Sequence, residues 1–205
     1  TFNIVGDTLV SYSGTESTVT IPDGVRVIGE NAFKNNDYIL NVICPDSLEE
    51  IGYRAFYDCD NLQSVSLPET LKVINEGAFY YCENLKTLGH TDDGVLPKGL
   101  TTMGVKAFYF CKALEGDLVI PEGVISLSAG IFYNAFALTS ITIPDTVTSM
   151  DANGDQFANC TAVTSVTLSK NLTELPKTAF FTCKSLKHLP DLSNVTSVGT
   201  SCFAG

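Results

Sequence analysis

Residues 55–75 read AFYDCDNLQSVSLPETLKVIN. The same phrase, x-AF-xx-C-xx-L-xx-V-x-IP-xx-V-xx-IG, returns along the chain with its first aromatic at Phe33, Phe56, Phe79, Phe108, Phe132, Phe157, Phe180 and Phe203. The steps between them are 23, 23, 29, 24, 25, 23 and 23 residues. A unit this short cannot bury a core alone and must stack on its neighbours, so the chain reads as one elongated repeat domain, a solenoid of about eight coils. Chemistry is then to be sought in columns of equivalent residues.

The columns are apolar where a stacked core requires it. Six residues after the phenylalanine come Ile39, Leu62, Leu85, Leu114, Leu138, Val163 and Leu186. Val25, Leu48, Leu71, Leu100, Val124, Val147, Leu172 and Val195 make a second line, and Ile28, Ile51, Ile74, Met103, Leu127, Met150, Leu175 and Val198 a third. Segments such as SVSLP and SITIP alternate small polar with aliphatic residues, which predicts short strands aligned in a parallel sheet on one face. Pro22, Pro45, Pro68, Pro97, Pro121 and Pro144 end these strands in turns. Gly29, Gly52, Gly104 and Gly199 share a column with Asn75, which suggests a site at positive φ; Pro176 stands in that column too and predicts local distortion. The AF pair is expected on a short helical or 3₁₀ turn opposite the sheet.

Residues 1–20 differ from the rest. FNIVGDTLVSY reads as two strands around Gly6-Asp7, a capping hairpin ahead of stacked repeats over 21–205. The ending SCFAG stops short of the next core position and reads as a cut through a longer array.

Composition narrows the partners. Twelve Lys and Arg against 23 Asp and Glu leave a net charge of -11, which argues against nucleic acid and anionic membranes. No apolar run is long enough for a membrane-spanning helix, and the opening TFNIVGDTLV lacks the features of a signal peptide.

AFxxC, LxxVxIP and VxxIG at this spacing, with TLVSYSGTESTVTIPDGV ahead of them, resemble the BspA-type leucine-rich repeats of bacterial surface proteins. The resemblance implies a leucine-rich-repeat solenoid, α/β and β-rich. It also implies a non-enzymatic extracellular or cell-surface module that binds proteins or cell-surface glycoproteins in adhesion. The alternative is a spacer or scaffold array that holds another domain or intracellular partners. The chain departs from the family phrase at GHTDDG (89–94), at DANGDQF (151–157), at Ser169 in place of proline and at Pro190, which precedes its column.

Candidate sites follow the register. Tyr57, Tyr80, Tyr109 and Tyr133 come directly after the core Phe, with Phe181 further along and Tyr81 and Phe110 one place on. They either pack side by side to seal the outer face or form an exposed contact stripe. On the sheet, Ser64, Ser66, Thr87, Ser140, Thr142, Ser165 and Thr167 point outward together with Thr20 and Asn41. Eight strands about 4.8 Å apart and about 13 Å long offer about 500 Å², less than the roughly 800 Å² per partner of a standard interface, so the sheet alone is too small. Asp23, Asp46, Glu69, Glu122 and Asp145 follow the turn prolines, interrupted by Lys98 and Lys170. They suit a solvated turn, and alternatively attract a basic partner.

Cys59, Cys82, Cys111, Cys160 and Cys183 fill one column, where Ala135 and Asn36 stand in other coils. That substitution suggests a buried, reduced ladder in which size outweighs sulfur chemistry; disulfides between adjacent coils are the alternative. No CxxC occurs and the histidines, His90 and His188, are about four coils apart, so no zinc site is expected. Asp151-Ala152-Asn153-Gly154-Asp155 resembles the start of a calcium loop, as do Asp92 and Asp93 in part, but neither has the remaining ligands; turn chemistry is the competing explanation. No nucleophile sits beside a base and no phosphate-binding glycine loop is present, so neither catalysis nor a cofactor is expected.

Overall fold

A computed structural model describes residues 1–89 and 94–205. The repeat becomes a parallel β-solenoid of leucine-rich-repeat type, and the predicted columns become its interior. Phe33, Phe56, Phe79, Phe108, Phe132, Phe157 and Phe180 are all buried, their rings stacked 4.8 to 5.9 Å apart and within 14° of parallel. Rings offset at this distance cover part of each other's faces, so each phenylalanine helps to bury its neighbours as well as itself.

Strands lie on two sides of each coil. One side carries β3 (Thr18–Thr20), β5 (Asn41–Ile43), β7 (Ser64–Ser66), β10 (Gly116–Val119), β12 (Leu138–Thr142) and β14 (Ser165–Thr167). The other carries two-residue strands: β4 (Val27–Ile28), β6 (Glu50–Ile51), β8 (Val73–Ile74), β9 (Thr102–Met103), β11 (Ser126–Leu127), β13 (Ser149–Met150), β15 (Glu174–Leu175) and β16 (Ser197–Val198). Pairing between coils is parallel throughout and keeps the register of the repeat except at β10–β12, where it shifts between Gly116 and Asp117. The expectation of a single sheet is therefore corrected. The first side splits into β3-β5-β7 and β10-β12-β14, separated at the long step of coil four, with Thr87 bridged to Ser64.

At the amino end β1 (Phe2–Val5) and β2 (Thr8–Tyr12) form the antiparallel hairpin, turning at Gly6 with φ 62°. β2 pairs parallel with β4, and Leu9 is fully buried. Tyr12 lies 5.3 Å from Phe33, and Phe2 lies 5.0 Å from Tyr12, so the hairpin prolongs the aromatic stack and covers its first ring.

The predicted helical or 3₁₀ turns do not form; among the described residues the chain contains no helix. The AF segment is instead an arch with two left-handed residues, two before and two after each core Phe. Asn31 and Asn35 have φ of 57° and 58°, Arg54 and Asp58 50° and 58°, Lys106 and Phe110 54° and 62°. Its amides alternate in direction. Asn31, Phe33 and Asn35 donate to Tyr53, Ala55 and Tyr57 of the next coil at 2.8 to 3.0 Å, while Ala32, Lys34 and Asn36 donate three residues back in their own coil. A helix needs every amide to turn back on its own segment, so an arch that sends alternate amides along the stack excludes one.

The glycine column also has a different cause. Gly29, Gly52, Gly104 and Gly199 are absent from the positive-φ positions, as is Asn75. A Cβ on Gly104 would lie 2.3 Å from the Glu76 nitrogen and 2.7 Å from the Asn75 carbonyl carbon, and one on Gly52 2.8 Å from Ile28 O. These glycines let successive backbones approach closely enough for bonds such as Gly104 N–H to Ile74 O at 2.8 Å. A side chain in this column has two outcomes: Asn75 still donates its N–H to Ile51 O at 2.9 Å with β6 and β8 paired, whereas at Ser128 β9 and β11 do not pair and the hydroxyl bonds Met103 O at 2.7 Å. At Pro176, which has no N–H to give, β13 and β15 likewise fail to pair; the positive φ behind the expected distortion does not occur in this column. Gly104→Ala should therefore cost about 1–3 kcal/mol through forced separation of two backbones. Urea unfolding against the parent measures it, and an unchanged midpoint would contradict this account.

Candidate binding surfaces

The outer face carries the tyrosine column. Each Tyr follows a buried Phe in the arch, so its side chain is directed outward, and stacking at the repeat spacing aligns the rings. Tyr57 and Tyr80 are 5.1 Å apart, Tyr80 and Tyr109 4.7 Å, and Tyr109 and Tyr133 4.7 Å, all within 15° of parallel. All four are half-buried. Tyr81 and Phe110 form a second row, with Tyr81 edge-on to Tyr80 at 4.6 Å and to Phe110 at 4.9 Å. The rings pack side by side along the stack, as the first of the two alternatives has it, and as half-buried groups they keep part of their surface accessible. Burial, with smaller contributions from Tyr81 and Tyr109, pushes the Tyr80 hydroxyl up to about 12. It remains a neutral donor at physiological pH.

Sequence reading missed the cations on this stripe. Lys34 lies over the Tyr57 ring at 5.4 Å, the Arg54 guanidinium over Tyr53 and Tyr57 at 4.9 and 5.0 Å, Lys106 over Tyr109 at 5.2 Å and Lys112 over Phe110 at 5.5 Å. The available signal was a basic residue two places before Phe56 and Phe108, in the left-handed position that turns the side chain across its own coil's ring.

The strand-side candidates are not one surface. Ser64, Ser66 and Thr87 belong to the first sheet, and Ser140, Thr142, Ser165 and Thr167 to the second. Several hydroxyls already serve neighbouring coils. Ser64 donates to Asn41 Oδ1 at 2.7 Å, and Ser140 and Thr139 both donate to Asp117 Oδ1 at 2.7 Å. Those two bonds hold the Asp117 carboxyl below the usual carboxylate range. The named candidates thus divide into the tyrosine row and two strand-side groups on separate sheets.

Asp23, Asp46, Glu69, Glu122 and Asp145 are exposed on the turns. Where lysine interrupts their column, the preceding carboxylate accepts that lysine's backbone N–H: Lys98 to Glu69 at 2.6 Å and Lys170 to Asp145 at 2.8 Å. Ser169, in place of proline, is buried with its hydroxyl on Val147 O at 2.6 Å. In the Asp151–Asp155 loop, Asp151 Oδ1 accepts the Asn153 amide at 2.8 Å, as turn chemistry requires. His90, Asp92 and Asp93 lie outside the described residues. No cluster of three or more His, Cys, Asp or Glu suited to a metal occurs among the described residues.

All seven cysteines are free and buried. The Cys column does more than fill space, which corrects the emphasis on size. Cys59, Cys82 and Cys111 donate through Sγ to the carbonyls of Phe33, Phe56 and Phe79 in the preceding coils at 3.0, 3.0 and 3.2 Å. The Phe33 and Phe79 carbonyls also accept an amide from their own coil, from Asn36 and Cys82, so there the thiol satisfies a second lone pair. Burial pushes Cys59 up to about 12, and the thiols stay protonated donors, not nucleophiles.

The parallel coils, the apolar columns and the ladders of polar bonds between coils define a leucine-rich-repeat solenoid. More particularly, the chain belongs to the BspA type leucine rich repeat family, whose model matches residues 4–93 and 90–205 with six copies. Among solved structures it is similar to a leucine rich repeat protein of T. pallidum, at 23% identity and a TM-score of 0.71, over 93% of this chain and 94% of that one. It is similar also to the pneumococcal vaccine antigen PcpA, at 23% identity and a TM-score of 0.62; 82% of this chain aligns with 40% of that protein. At such identity these likenesses show the fold alone. No curated protein matches the chain. No helix of the described residues is long and apolar enough to cross a membrane.

Proposed function

We propose that this chain is a non-enzymatic binding module that acts in adhesion outside the cell or at its surface, and that it meets a protein or cell-surface glycoprotein through the tyrosine stripe. The observation that carries the proposal is the aligned, half-buried row Tyr57, Tyr80, Tyr109 and Tyr133, with cations over two of its members. Stacked rings are already ordered, so contact costs little further side-chain entropy, and tyrosine combines apolar area with a hydrogen-bonding tip. Membership of the BspA type family supports the protein-binding class. The strand-side residues Ser64, Ser66, Thr87, Ser140, Thr142, Ser165 and Thr167 are secondary candidates, since Ser64, Thr87 and Ser140 already use part of their hydrogen-bonding capacity.

The test is surface plasmon resonance against matrix, mucin and cell-surface glycoproteins. Saturable binding is expected, weakened about tenfold to a hundredfold by Tyr80→Ala with Tyr109→Ala. Absence of saturable binding by the folded chain, or a double variant that binds like the parent, would sink the proposal. The second reading, a rigid spacer or scaffold array, draws on the uninterrupted phenylalanine stack from Phe33 to Phe203 and predicts that first outcome.

A further inference from the structure

β14 has a partner on one edge only. In the parallel register, the residue nine places after the core Phe directs its N–H at the next coil: Val65 N–H reaches Thr87 O at 3.1 Å, and two residues on Leu67 N–H reaches Leu88 O at 3.1 Å. Val166 and Leu168 hold these positions in coil six, and neither amide has a partner among the described residues. The cause lies in coil seven. By the same count Leu189 should sit where Val42, Val65 and Ile141 are buried at 0 to 1% exposure, yet it is 61% exposed. Pro190 follows it, with no N–H for a ladder and with a backbone constraint on the residue before it. Coil seven thus leaves the ladder, and a cleft of about 220 Å³ opens beside β14, lined by Val166, Leu168, Leu172 and Val195 together with Lys170 and Asp191.

We infer that this cleft is a seat for an extended segment of a partner polypeptide, which adds to β14 as a parallel strand. The molecule itself shows what fits. β5, β7, β12 and β14 each occupy this position on the coil before them, with the sequences Asn-Val-Ile, Ser-Val-Ser, Ser-Ile-Thr and Ser-Val-Thr at the paired residues. The occupant is therefore a segment with one aliphatic residue between small polar or β-branched neighbours. Its backbone receives the Val166 and Leu168 amides, and its aliphatic side chain enters the place that Leu189 left. This seat lies on the strand side, apart from the tyrosine stripe, and does not depend on the stripe being a contact surface.

The probe is a capped synthetic peptide copying residues 138–144, LTSITIP. With saturating peptide, hydrogen exchange at Val166 and Leu168 should slow at least tenfold, while exchange at Val65 stays unchanged. A peptide with proline in place of its central Ile should bind more than tenfold more weakly. Val166→Pro in the protein, which deletes an amide that bonds to nothing in the fold, should also weaken binding more than tenfold, whereas Tyr80→Ala with Tyr109→Ala should retain it. Unchanged exchange at Val166 and Leu168, or equal binding of the two peptides, overturns the inference. If Val166→Pro does not fold, these two measurements on the parent protein decide alone.

Discussion

Phe79→Ala is expected to lower the unfolding free energy by about 3–5 kcal/mol, and thus to remove much of the roughly 5–15 kcal/mol available to a domain. Phe79 is fully buried between Phe56 at 5.1 Å and Phe108 at 5.2 Å, so truncation both loses its own burial and opens a void under two further rings. The flanking backbones are tied at fixed spacing by Phe79 N–H to Ala107 O at 2.8 Å and Phe56 N–H to Ala78 O at 2.8 Å, which prevents collapse into that void. Phe203→Ala serves as the control. That ring is only partly buried and has a single stacked neighbour, Phe180 at 5.2 Å, so its loss should cost less than half as much. Urea unfolding followed by circular dichroism separates the two, and equal costs would contradict the stacked core.

Raising the pH from 7 to 11 should unfold the chain. Burial pushes the Cys44, Cys59 and Cys183 thiols up to about 12, and Cys82 and Cys160 well above their ordinary value of 9.0. Below that ordinary value, native and unfolded chains both hold these protons, and the thiols' contribution to stability is fully present. Above it the unfolded chain releases them while the native chain does not, so stability falls with rising pH until the folded values near 12 are passed. The slope is about 1.4 kcal/mol per pH unit for each thiol once the unfolded group is ionised. Five such groups acting together approach the whole folding free energy between roughly pH 10 and 11. Thiolate absorbance and circular dichroism, recorded through the same alkaline titration, should change together. Replacement of Cys59 and Cys82 by alanine should move the transition to higher pH. Thiolates appearing near pH 9 with the circular dichroism unchanged would show that the column is open to water.

The surfaces were legible to very different degrees. Tyr57, Tyr80, Tyr109 and Tyr133 could be aligned by counting from the phenylalanine, and they do stack, because a column in the sequence becomes a column in space once the coils are parallel and in register. Ser64 and Ser165 could be counted in the same way, yet they fall on different sheets, because the long step at coil four changes the path of the chain without changing the local alternation of residues. Arg54 and Lys106 could be counted two places before Phe56 and Phe108, but their lying over rings depends on a backbone angle that neither residue type advertises. Pro190 was noticed only as a misplaced proline; its effect, an unpaired strand edge in coil six, lies in the neighbouring coil.

The period and the apolar columns were determined by the sequence alone, since side-chain burial repeats wherever the chain repeats and hydrophobicity is read one residue at a time. The tertiary structure decided the outer arches, the reason for the glycine column and the break beside β14. Each of these depends on which backbone amide meets which carbonyl in the adjacent coil. Left-handed angles at Arg54, Lys106 and Thr178 are unfavourable for the isolated residues and persist because bonds from both neighbouring coils fix the arch. That energy exists only after stacking, and no property of a single repeat contains it.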